Sequence, residues 1–108
     1  MANTYLSRTL AGTRTNGKKW TWSAWVKRNA LDSIMPLFYA DDGSANYYTT
    51  IRFHDTNSIV FRNKHSSDQG YLITTPVYRD TGAWLHIVAV YDSDNSTSGD
   101  RMILYVNG

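Results

Sequence analysis

An all-β fold, a sandwich or a barrel, is what this sequence predicts, and three observations carry the expectation. Apolar residues alternate with polar ones in about eight short runs, clusters of Gly, Asn, Asp and Ser separate those runs, and no stretch repeats with a helical period. Aromatic residues make up 14% of the chain, chiefly 8 Tyr and 4 Trp, and such side chains favour both strands and exposed binding faces. The 108 residues leave room for one core, so a single domain spanning 1–108 is expected.

The first run, 4–8, is short, and the turn Asn16-Gly17 leads into the clearest one, 19–28. There Trp20, Trp22, Ala24 and Val26 fall on one face and Thr21, Ser23, Trp25 and Lys27 on the other, the alternation of a half-buried strand. The run 34–40 contains Pro36, which cannot donate to a ladder, so an edge or bulged strand is expected. The turn Asp41-Asp42-Gly43-Ser44 precedes the run 47–53, and Asp55-Thr56-Asn57-Ser58 precedes 58–62. The run 70–78 carries Pro76 and is expected at an edge or bulge for the same reason. Residues 84–91 are apolar almost throughout, which predicts a central strand covered on both faces, with His86 satisfied by hydrogen bonds in the core. A polar segment, 92–100, separates it from the last run, 101–106. Asn107-Gly108 then reads as the tip of a two-residue hairpin, so the domain is expected to be incomplete, its returning strand supplied by a longer chain or by another one.

Charge and composition exclude several functions. The net charge is +2, but Lys and Arg are scattered apart from Lys18-Lys19 and Lys27-Arg28, without the basic stripe that nucleic acid requires. No Cys is present, which fits assembly in a reducing cytoplasm. The first ten residues have no apolar core for a secretion signal, and Met1 reads as a native start. No apolar run approaches the ~18 residues that span a bilayer, so membrane insertion is not expected.

Three segments, in this order, resemble the laminin-G-like jelly roll of the concanavalin A-like lectin-glucanase superfamily. Trp20-Thr21-Trp22-Ser23-Ala24-Trp25-Val26-Lys27-Arg28 is similar to an early strand of that family, Trp84-Leu85-His86-Ile87-Val88-Ala89 to its central strand, and Leu104-Tyr105-Val106-Asn107-Gly108 to the strand that enters a hairpin. The resemblance implies an antiparallel jelly-roll β-sandwich of which this chain holds roughly the first two-thirds. Within the family, Tyr5-Leu6-Ser7-Arg8-Thr9, the run 22–28, Leu72-Ile73-Thr74-Thr75 and Tyr78-Arg79-Asp80 are similar to domains of tailed-phage structural proteins.

Retaining glucanases of the superfamily need two carboxylates ~5 Å apart, delivered from alternate positions of one strand. All nine acidic residues here are Asp, there is no Glu, and the aspartates are expected in turns, so an enzyme is not expected. No nucleophile motif is present either. The resemblance also implies a calcium site at a rim, for which Asp41, Asp42 and Asn46 in one loop and Asp92 and Asp94 in another supply hard oxygen donors, although the same composition is ordinary turn chemistry.

The remaining candidate is the face opposite the core side of three strands, where alternation places Trp25, Tyr48, Arg52 and Arg62, with Thr50 and Val60 between. Aromatic rings stack on the C–H faces of sugars and Arg offers planar donors to hydroxyls, so a glycan surface is one reading. A packing surface for absent strands or a neighbouring subunit is the other. The expected function is a non-catalytic virion or fibre component, assembled in the host cytoplasm as an oligomer through the 101–107 strand or its neighbour, that builds the particle, attaches it to host-surface glycans, or both. A carbohydrate-binding module from a larger secreted enzyme or adhesin, with an extracellular setting, is the alternative.

Overall fold

The structure, a computed structural model, describes residues 6–9, 12 and 16–108. The described residues form seven strands in two antiparallel sheets: β1 (Lys19–Lys27), β2 (Met35–Asp41), β3 (Tyr47–Phe53), β4 (Ile59–His65), β5 (Ser67–Ile73), β6 (Trp84–Asp92) and β7 (Met102–Val106), with a short 3-10 turn at Ser98–Asp100. One sheet has the order β1-β6-β7 and the other β2-β3-β4-β5. The expected strand 4–8 falls partly outside the described residues, and residues 6–9 form no strand.

The sheets face each other across a core of Ile51, Phe53, Ile59, Phe61, Leu85, Ile87, Ala89 and Met102. Trp20, Trp22 and Val26 of β1 pack against it from the side that alternation predicts. Each large apolar side chain buried in this way contributes ~1.5–3 kcal/mol. Gly70 of β5 allows the two sheets to approach along one flank, because a Cβ there would collide with the Sδ of Met102 in β7. Pro36 sits in the edge strand β2 at a bulge between residues 36 and 38, as its missing N–H requires.

Three sequence expectations are corrected. The strand predicted at 70–78 is β5, Ser67–Ile73, and Pro76 lies beyond it in a loop. A left-handed Ser66, φ 62°, makes a tight turn between β4 and β5 without glycine, so composition gave no warning of it. Strand β6 is central as expected but is covered on one face only. Its outer side chains include Trp84, 61% exposed, because no second sheet of the described residues packs on that side. His86 belongs to the same outer face, half-buried and stacked on Trp25 at 4.9 Å, and is not a core residue.

One end of the sandwich is closed by a buried Arg. Arg28, 2% exposed, donates from Nη1 to Asn57 Oδ1 at 2.9 Å and to the Tyr78 carbonyl at 2.6 Å, with its guanidinium 4.5 Å from the Phe53 ring centre. Asn57 donates in turn to Asp32 Oδ1 at 2.8 Å. Burial pushes the Arg28 pKa down, and the nearby Asp32 charge opposes that shift. The knot ties the end of β1 to the β3–β4 turn and to the segment after β5.

Candidate functional site

Antiparallel pairing places directly opposed residues on one face, and it arranges the outer face of the four-stranded sheet in three rows. Pro36, Arg52, Val60 and Ile73 form the first, Tyr39, Thr50, Arg62 and Tyr71 the second, and Asp41, Tyr48, Lys64 and Asp68 the third. Thr50 and Val60, 2% and 0% exposed, are the floor. The Tyr39 and Tyr48 rings stack at 5.6 Å and 24°. The Arg62 guanidinium lies 5.5 Å from the Tyr48 ring centre and 5.6 Å from that of Tyr71, and Lys64 Nζ lies 5.8 Å from Tyr48.

Arg62 is held by Asp68: its Nε donates to Oδ1 at 2.6 Å and its Nη2 to Oδ2 at 3.1 Å. This fork keeps the Asp68 carboxyl below the usual aspartate range and raises the Arg62 pKa. Desolvation, followed by the neighbouring Asp41, raises the Tyr39 pKa. The result is a preorganised surface: Tyr39 and Tyr71 remain 51% and 43% exposed while Arg62 between them is locked. Arg52, on the same face, has a buried Nε without a hydrogen-bond partner among the described residues.

Of the four residues expected to share a face, the structure brings together Tyr48, Arg52 and Arg62. Trp25 is separated from them. It is 66% exposed on the outer face of the other sheet, on the opposite side of the sandwich, because β1 pairs with β6. Alternation decides which way a side chain points relative to its own strand but not which sheet the strand joins. Tyr39, Lys64, Asp68 and Tyr71 were missed. Asp68, expected in a turn, is in β5, three residues of which precede the expected run 70–78; Tyr71 lay inside that run but was not singled out.

The calcium candidates are not gathered into one site. Asp41 and Asp42 each accept a backbone N–H from two residues on, Gly43 and Ser44 respectively, and the Asn46 carbonyl accepts from Ser66. Asp92 and Asp94 pair instead with Lys19 at 3.4 Å and Lys18 at 3.2 Å. Among the described residues, no three His or acidic side chains form a group able to hold a metal ion.

Opposite the Arg28 knot the sandwich opens into a cleft of about 940 Å³ between the sheets, with Trp20, Phe38 and Tyr91 along its wall. Trp20 stacks on Tyr91 at 5.5 Å. Tyr91 Oη accepts from Asn63 Nδ2 at 3.0 Å, and Asn63 Oδ1 accepts from Thr49 Oγ1 at 3.0 Å.

Two facing antiparallel sheets with an aromatic outer face define a lectin-like sandwich. The family comparison agrees: residues 2–108 match a laminin-G family described as the concanavalin A-like lectin/glucanases superfamily, and the chain belongs to that family. No curated protein and no solved structure matches the chain.

Proposed function

We propose that the chain is a non-catalytic carbohydrate-binding module that receives a glycan on the outer face of β2–β5. The observation that carries the proposal is the platform of Tyr39, Tyr48 and Tyr71 around the fixed guanidinium of Arg62. Pyranose C–H faces stack on the rings, and the Tyr hydroxyls, Lys64, Arg52 and Asp41 meet sugar hydroxyls at the margins. Because Arg62 is already immobilised, little side-chain entropy remains to be lost on binding. Membership of a superfamily of lectins and glucanases supports the same ligand class.

Geometry favours binding over hydrolysis. Asp41 and Asp68, the carboxylates of the third row, lie on the two edge strands with Tyr48 and Lys64 between them. Three inter-strand spacings of ~4.8 Å put them ~14 Å apart, beyond the ~5 Å of retaining and the ~6.5–9.5 Å of inverting glycosidases. The narrower form of the proposal places the module on a virion fibre. Its support is the resemblance of the segments around Trp22–Arg28 and Leu72–Asp80 to domains of tailed-phage structural proteins.

A glycan array followed by calorimetry on the best oligosaccharide tests the proposal. Tyr48→Ala and Tyr71→Ala, with unchanged circular dichroism, should each weaken binding about tenfold, the upper end of an aromatic contact at ~0.5–1.5 kcal/mol. Absence of binding to every glycan class would sink it.

A further inference from the structure

We propose that the inter-sheet cleft, which shares only Asp41, Tyr48 and Lys64 at its rim with the outer-face platform, is a second binding site for a small uncharged sugar of one or two rings. The argument begins with the inward-facing pairs of β3 and β4. From the closed end outward they run Phe53 with Ile59, Ile51 with Phe61, and then Thr49 with Asn63. The facing sheet follows the same course through Ala24 with Ile87 and Trp22 with Ala89 to Trp20 with Tyr91. The interior therefore changes from wholly apolar to hydrogen-bonding within one step, at the point where the cleft begins.

The polar groups there are joined but not exhausted. Thr49 donates to Asn63 and Asn63 donates to Tyr91. The Tyr91 hydroxyl hydrogen and the second amide hydrogen of Asn63 find no acceptor among the described side chains. Interior polar groups left in this state are paired by water or by a ligand. All of these groups are neutral. At the rim, the charges of Asp41 and Asp42 oppose those of Lys64 and Arg101, so no net field selects an ion. A cleft of about 940 Å³ falls in the ~300–1,000 Å³ range of small-molecule sites. An aromatic wall of Trp20, Phe38 and Tyr91 beside neutral donors and acceptors fits a molecule with one C–H face and a fringe of hydroxyls.

The test is a nitrogen-proton correlation titration of the whole chain with methyl glucoside, methyl galactoside, maltose and lactose, with glucuronate and glucosamine as charged controls. Saturable shifts of the Trp20 indole and of the amides of Thr49, Asn63 and Tyr91 are expected with at least one neutral sugar. Tyr91→Phe and Thr49→Val, which preserve shape, should each weaken that binding about five- to tenfold, the worth of one neutral hydrogen bond. Tyr71→Ala, on the outer face, should leave it unchanged. Three results would each overturn the proposal: no saturable shift with any neutral sugar, equal or tighter binding of the charged controls, or binding indifferent to both Tyr91→Phe and Thr49→Val. Weaker oligosaccharide binding in Tyr71→Ala bears on the outer face alone, so the two sites fail separately.

Discussion

Replacing Gly70 by Ala should destabilise the protein, and the sign of the effect is informative. Gly70 has no left-handed φ, so in an open strand the substitution would be expected to stabilise by ~0.5–1 kcal/mol, because Gly loses the most conformational freedom on folding. Here the new Cβ would collide with Met102 Sδ and lie 3.3 Å from Cε and 3.4 Å from Cγ, so the whole thioether must move and not only its tip. Met102 is 9% exposed and packs with Ile51, Phe61 and Ala89. Displacing it either overpacks the core, at ~1–3 kcal/mol, or exposes a side chain whose burial contributes ~1.5–3 kcal/mol. A net loss of ~1–3 kcal/mol corresponds to a fall in Tm of roughly 5–15 °C for a domain of this size. Thermal unfolding by circular dichroism measures it, and a double-mutant cycle with Met102→Ala isolates the cause. In the Met102→Ala background the Gly70 substitution should be neutral or stabilising. A Gly70→Ala protein as stable as the parent, or an equal loss in both backgrounds, would refute the packing of β5 on β7.

Further outcomes follow from the same structure. Asn57→Ala removes a partner from buried Arg28 and should cost about 2–3 kcal/mol in urea unfolding, whereas an unshifted midpoint would contradict the knot. Asp68 has a folded pKa below its ordinary value, so its pair with Arg62 contributes stability above the ordinary aspartate range and loses it as pH falls through the folded value. Carboxyl-carbon NMR should show a low Asp68 midpoint that rises in Arg62→Gln, and an ordinary midpoint in the parent would contradict the fork. Trp25→Ala should leave oligosaccharide affinity unchanged in calorimetry, because Trp25 lies on the opposite side of the sandwich. A tenfold loss would show that the ligand reaches the other sheet.

Legibility in the sequence tracked the strength of alternation. Strands β1, β3, β6 and β7 were readable to within a residue or two, because each places a continuous apolar row against the core. Strands β4 and β5 were not. Their shared end runs through Asn63, Lys64, His65, Ser67, Asp68 and Gln69, residues that resemble a loop but line the cleft and the outer face. Lys64 and Asp68 of the proposed outer-face site fall in this stretch: a polar surface lacks the apolar period by which strands are recognised. The misplacement of Trp25 has another origin. Period two gives a side chain's face, whereas its neighbours depend on long-range pairing, here of β1 with β6 some sixty residues later.

The most direct test of the account is an amide chemical-shift map of the protein with the oligosaccharide that binds most tightly in the array. The account predicts shifts concentrated on Tyr39, Tyr48, Arg62, Lys64 and Tyr71 of β2–β5. Shifts centred on Trp25, Trp84 and Tyr105 of the other sheet would contradict it.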